Sequence, residues 1–68
     1  MIMEWKQLEN GEWEAKGKNG KFYLYKSGRQ WTGNYSGANG KFFRLPFGSL
    51  KIIKKKCEDN YYWEAKKD

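Results

Sequence analysis

Turn-forming residues interrupt this chain at intervals of about 8 to 12 residues: Asn10-Gly11, Asn19-Gly20, Ser27-Gly28, Ser36-Gly37 with Asn39-Gly40, Gly48-Ser49, and the Glu58-Asp59-Asn60 run. That rhythm is the one of short strands joined by tight connections. Asn-Gly supplies two neighbouring residues that accept positive φ, as a type I′ hairpin turn requires. The three Asn-Gly pairs predict an antiparallel meander.

Between the turns the side chains alternate. Trp13 and Ala15 share one face opposite Glu12, Glu14 and Lys16; Trp31, Gly33 and Tyr35 share one face opposite Gln30, Thr32 and Asn34. Phe43, Leu45 and Phe47 do the same, with Phe42 and Arg44 pointing away, and Pro46, which lacks an N–H, places that strand at an edge or at its end. The stretch from Ser49 to Asn60 reads two ways. Ser49 could cap a helix presenting Leu50, Ile53 and Cys57 on one face. Against it stand the β-branched Ile52 and Ile53, the lack of Glu or Gln at position 52 to complete a capping box, and the Glu-Asp-Asn turn leading into Tyr61-Tyr62-Trp63. A strand and hairpin is the expectation. The predicted fold is therefore all-β: one domain over residues 1–68, an antiparallel meander of six or seven short strands closed into a barrel or sandwich, SH3-like or OB-like in size.

Whether such a chain folds depends on its aromatics. Leu, Ile, Val and Phe together number 11 of 68 residues, a composition that leans toward disorder. Four Trp, five Tyr and four Phe offset this, because each brings on the order of 150 to 250 Å² of buriable surface. The core is expected to be small and aromatic.

The net charge of +6 conceals its distribution. Lys6 stands against Glu4, Glu9, Glu12 and Glu14 at one end, and Lys66 and Lys67 against Glu58, Asp59, Glu64 and Asp68 at the other. Residues 16 to 56 hold eleven Lys and Arg and no acid. Adjacent strands would gather that charge on one surface, which attracts polyanions. Aromatics lie within it, in Lys21-Phe22-Tyr23-Leu24-Tyr25-Lys26 and Lys41-Phe42-Phe43-Arg44. With Phe22, Leu24, Phe43 and Leu45 facing inward, alternation turns Lys21, Tyr23, Tyr25, Phe42 and Arg44 to solvent. A basic, aromatic sheet face is what single-stranded nucleic acid uses, bases stacking on rings while Lys and Arg track the backbone. The expected interface is Lys21, Tyr23, Tyr25, Arg29, Phe42, Arg44, Lys51 and Lys55, the last two on a shared strand face. Lys54-Lys55-Lys56 reads either as a phosphate or lipid clamp or as a solvated strand end. No element carries a motif for base-specific reading, so backbone-driven binding is the form expected.

Two other classes compete. One is a protein-interaction module, such as a mobile-element inhibitor or adaptor, using the same aromatics against an acidic partner surface. Its acidic ends are also complementary to the basic middle of a second copy, which would give a homodimer. The other rests on Asn19 to Gly28 followed by Trp31-Thr32-Gly33, a segment that resembles one unit of the glycan- and choline-binding cell-wall repeats. The resemblance implies an aromatic cage from residues such as Phe22, Tyr23 and Trp31, but the flanks do not continue the repeat. Within the chain, Trp-Glu-Ala-Lys occurs at 13–16 and 63–66, and Asn-Gly-Lys-Phe at 19–22 and 39–42.

Other chemistry has little to stand on. The chain contains no His, no phosphate loop, no metal-ligand spacing and no dinucleotide fingerprint, so an enzyme, a metal site and a cofactor are not expected. Cys57 follows three lysines, which would lower its pKa if they lay close, but no base accompanies it, and a small buried or edge cysteine is the expectation. A lone cysteine forms no internal disulfide and fits a reducing cytoplasm. No apolar run approaches the roughly 18 residues of a membrane span, and Met1-Ile2-Met3-Glu4-Trp5 lacks the basic and apolar regions of an export signal.

Overall fold

The computed structural model describes residues 3–66; Met1 and Ile2, and Lys67 and Asp68 of the charge tally above, lie outside the described residues. Five antiparallel strands form one open sheet in the order β1-β2-β3-β4-β5, so each strand pairs with its neighbour in sequence. They are β1 (Lys6–Gln7), β2 (Trp13–Lys16), β3 (Gly20–Ser27), β4 (Gln30–Gly37) and β5 (Phe42–Arg44). A helix follows: α1 (Leu50–Lys56), a π-helical turn over Cys57–Tyr61, and α2 (Tyr62–Lys66). The meander is present, but the barrel or sandwich of six or seven strands is not, and the fold is not all-β. The C-terminal helix covers one face of the sheet, so that face is buried without the sheet closing on itself.

The helix corrects the strand and hairpin expected at Ser49–Asn60. Ser49 sits in an extended conformation (φ −72°, ψ 159°) and its side chain accepts from the backbone N–H of Ile52. The cap needs no acidic partner at position 52, and the chain stays helical past Lys54, Lys55 and Lys56, Cys57 at φ −61° and ψ −44° leading straight into the π-helical turn. Removing the cap with Ser49→Ala is expected to lower stability by about 1 kcal/mol, read as a reduced denaturation midpoint in urea. Glu58, Asp59 and Asn60 form no turn; they lie inside the π-helical segment. Ile53, Cys57 and Ala65 are buried, with Tyr61 packed against the same core, at intervals of four residues. A uniform helix of 3.6 residues per turn rotates such a series steadily off its face. The wider π turn keeps it aimed at the sheet.

The core they meet is aromatic, as the composition requires. Phe22, Leu24 and Tyr35 have almost no exposed surface. The Phe22 ring lies 4.8 Å from Tyr35, 6.4 Å from Trp5 and 6.4 Å from Tyr61, and Phe43 stacks on Tyr35 at 4.9 Å. Tyr35 keeps its hydroxyl satisfied by donating to the Glu64 carbonyl at 2.9 Å. Burial, then the Glu64 charge, pushes its pKa up. Three acidic residues of the C-terminal segment find partners within the chain: Glu64 pairs with Lys41 and Asp59 with Lys55 at 3.1 Å, while Glu58 accepts from the Met3 N–H and, at 3.0 Å, from Trp5 Nε1. Lys54 lies over the Trp13 ring, 3.4 Å from its centre, and its pKa is lowered by desolvation. Lys54 thus helps fasten the helix to Trp5 and to Trp13 of β2, Lys55 pairs along its own helix, and the run is not a strand end.

The Asn-Gly pairs also act differently from expectation. In two of them only the glycine has positive φ, Gly11 at 89° and Gly40 at 79°, and no asparagine among the described residues does. Leu8 N–H donates to Glu12 O while Gly11 N–H returns to Leu8 O, and Gly37, Lys41 and Gly40 repeat that pattern. Both are three-residue loops closed by a left-handed glycine. Asn19-Gly20 instead leads into β3, after a turn closed by Gly17 N–H on Gly20 O. Edge strand β5 ends before Pro46, as its missing N–H demands, but Phe47 does not share the inward face of Phe43 and Leu45. Leu45 N–H bonds Gly33 O and Gly48 pairs with Trp31, leaving two residues, Pro46 and Phe47, opposite Thr32. The bulge turns Phe47 out to 60% exposure.

Candidate nucleic-acid interface

Strand register fixes which side chains share the uncovered face, because partners directly opposite point the same way. One row runs Lys6, Glu14, Tyr23, Asn34, Arg44 across the sheet. A second runs Lys16, Lys21, Ser36, Phe42, and a third pairs Tyr25 with Thr32, which is buried with its hydroxyl donating to the Leu45 carbonyl. Phe22, Leu24, Tyr35 and Phe43 occupy the opposite rows, under the helix.

Five of the eight residues named from the sequence therefore lie on one surface: Lys21, Tyr23, Tyr25, Phe42 and Arg44. Arg29 is at the tip of the β3–β4 hairpin, beside Gly28, whose φ of 65° suits the first position of a two-residue turn. Lys51 and Lys55 do not extend this face. They sit one helical turn apart on α1, behind the sheet, and Lys55 is paired with Asp59. Their shared strand face disappears with the strand itself. Lys6 and Lys16, which sequence reasoning left out, join the patch instead; Lys16 alternates with Ala15 in the same strand as Glu14, whereas Lys6 reaches the face only through the pairing of β1 with β2.

The surface has a definite character. Tyr23 and Tyr25 are half-buried, with ring centres 6.1 Å apart, and Phe42 is 61% exposed. Within the five strands Glu14 is the only acid, toward the β1 side, whereas β3, β4 and β5 contain none. Rings and cations thus alternate across β3 to β5 with no carboxylate among them. That arrangement offers flat apolar faces for planar ligands and positive charge for anionic ones.

The aromatic cage implied by the cell-wall-repeat resemblance does not assemble. Phe22 is in the core, Tyr23 is its strand neighbour on the opposite face, and Trp31 is on the inward side. Cys57 is buried, and desolvation together with the nearby Glu58 charge pushes its thiol up to about 12, opposite to the effect expected from adjacent lysines. The lysine charges point along the solvated side of α1 or onto Trp13 and do not reach it. No group of metal-ligating side chains occurs among the described residues, and no helix there is long and apolar enough to cross a membrane. No protein-family model, curated protein or solved structure matches this chain.

Proposed function

We propose that the uncovered sheet face binds single-stranded nucleic acid, with bases stacking on Tyr23, Tyr25 and Phe42 and phosphates following Lys16, Lys21 and Arg44. The observation that carries this reading is the acid-free, aromatic and basic surface of β3 to β5 on the side the helix leaves open. Stacking is worth about 1 to 3 kcal/mol per base and tolerates any base, which suits a face without a hydrogen-bonding code. Each phosphate neutralised contributes about −0.7 to the slope of log affinity against log salt.

Fluorescence anisotropy with a short labelled oligonucleotide tests the reading. Binding is expected at low salt, weakening between about 50 and 200 mM salt, and Tyr23→Ala is expected to weaken it about 5- to 150-fold. Absence of binding at low salt, or indifference to Tyr23→Ala and Phe42→Ala alike, overturns it.

A second reading has its own observation. Phe47 and Ile52 are 60% and 50% exposed; Ile52 lies beside Gly48, the residue after Phe47, and follows Lys51 on α1, one turn before Lys55 and Lys56. This favours an adaptor that covers an acidic protein surface. Its mark would be a protein partner retained after nuclease treatment and lost on Phe47→Ser with Ile52→Ser.

A further inference from the structure

At one end of the uncovered face, where the β2–β3 hairpin meets the β4–β5 loop, a shallow groove of about 370 Å³ is lined by Lys16, Lys18, Lys21, Gly17, Gly20 and Gly37. We propose that this groove is a phosphate seat with Lys16 and Lys21 as its charged walls. The proposal deepens the nucleic-acid reading by giving the phosphate its place, but it also stands on observations of its own.

The first is the cross-strand pair. Lys16 lies directly opposite Lys21. Since Gly17 N–H bonds Gly20 O one step further along, the alternation of the ladder makes Lys16 and Lys21 a pair without mutual backbone bonds, the kind whose side chains come closest. Like charges in that position destabilise a sheet. Among the described residues no carboxylate pairs with either of them or lines the groove, the ion pairs Lys41–Glu64 and Lys55–Asp59 lying elsewhere.

The second is the bare floor. A methyl group on Gly17 would overlap the Ala65 carbonyl, and one on Gly20 would overlap the Tyr35 hydroxyl, so both positions must be glycine for the helix and core to pack beneath them. Gly37 is similarly crowded, with Tyr35 Cε2 3.0 Å from where its Cβ would stand. Because positions 17, 20 and 37 face the helix side, the upper side there presents backbone without side chains, next to the Lys16–Lys21 pair. Ser36 stands next to Lys21 in the same row and brings a hydroxyl to the rim. A phosphate between the lysines replaces their repulsion with charge-assisted hydrogen bonds, for which lysine serves as a point charge. An internal phosphodiester and a terminal phosphate share that chemistry.

Two measurements decide the matter, comparing the wild type with the double variants Lys16→Gln/Lys21→Gln and Lys51→Gln/Lys55→Gln. In the first, inorganic pyrophosphate is titrated while the Gly17, Gly20 and Gly37 amide resonances are followed; these are expected to shift in the wild type and in the helix variant, and not in the groove variant. In the second, short dT oligomers with and without a 5′-phosphate are compared by anisotropy. The groove variant is expected to bind about tenfold more weakly, the helix variant nearly as well as the wild type. A preference for the 5′-phosphate, lost in the groove variant, identifies a terminal phosphate, and equal losses for both oligomers identify the backbone. Unmoved glycine amides, or equal weakening in both double variants, overturn the seat. Pyrophosphate binding without oligomer binding keeps the seat and removes the nucleic-acid reading; oligomer binding that needs Tyr23 but not Lys16 and Lys21 does the reverse. Folding of the groove variant is not in doubt on electrostatic grounds, since it removes a like-charge pair and is expected to melt slightly higher in phosphate-free buffer.

Discussion

Replacing Phe22 by alanine is expected to cost about 3 to 5 kcal/mol, whereas the same change at Phe42 should cost no more than about 0.5 kcal/mol. The contrast is sharp because both residues end the same tetrapeptide, Asn-Gly-Lys-Phe. Phe22 has no exposed surface and holds Trp5, Tyr35 and Tyr61 around its ring, so truncation empties the centre of the core. A small domain has a total stability of only about 3 to 5 kcal/mol, so Phe22→Ala should leave much of the population unfolded at room temperature. Phe42 lies on the open face and loses little packing when shortened. Urea denaturation followed by Trp fluorescence separates the two. Equal midpoints for the two variants would contradict the assignment of inward and outward rows. The backbone accounts for the difference: Gly20 opens a strand, while Gly40 closes a three-residue loop with positive φ, which shifts the following residues relative to the sheet faces.

Cys57 should make the fold less stable in alkali. Its thiol ionises near the ordinary value of 9.0 in the unfolded chain and is pushed up to about 12 in the fold, first by burial and then by Glu58. Below pH 9 both states hold the proton and the group has no effect. As pH rises from 9 toward 12 the unfolded chain releases its proton and the native chain retains it, so the unfolded state is favoured by up to about 1.4 kcal/mol per pH unit. The raised pKa of Tyr35 acts in the same direction and the lowered pKa of Lys54 in the opposite one. The difference between wild type and Cys57→Ala isolates the thiol: urea midpoints measured from pH 8 to pH 11 should converge or cross as pH rises. A constant gap between the two proteins would refute the assignment. In the native protein at neutral pH, thiol reagents should label Cys57 only as fast as the fold opens.

How much of this was legible in the sequence depended on whether local pattern or tertiary contact decided the outcome. Alternation in β3 placed Phe22 and Leu24 inward and Lys21, Tyr23 and Tyr25 outward, because an eight-residue strand with both neighbours paired leaves no other choice. The helix was legible only as an alternative. Ser49, Leu50, Ile53 and Cys57 carried its signal, but two β-branched isoleucines argued against it, and burial of Ile53 against the sheet outweighs their propensity. The repeated Trp-Glu-Ala-Lys makes the same point: β2 at 13–16, helix α2 at 63–66, with Ala15 and Ala65 both buried. A four-residue pattern has no preference strong enough to resist its surroundings. The site inherited the error, since Lys51 and Lys55 were placed by a strand that does not form, whereas Lys6 and Lys16 needed the register of β1 and β2 to be seen.

The order of the strands has a kinetic consequence. Because β1 to β5 pair strictly as neighbours, the ladder assembles through loops of a few residues, and such local closures occur within about 1 to 10 μs. The contacts from Met3 and Trp5 to Glu58 instead join residues 55 and 53 apart in sequence. Those links wait on the helix and carry the larger loop-closure entropy. Interactions made after the transition state act on unfolding more than on folding, so substitutions at Glu58 should act mainly on how fast the native state opens.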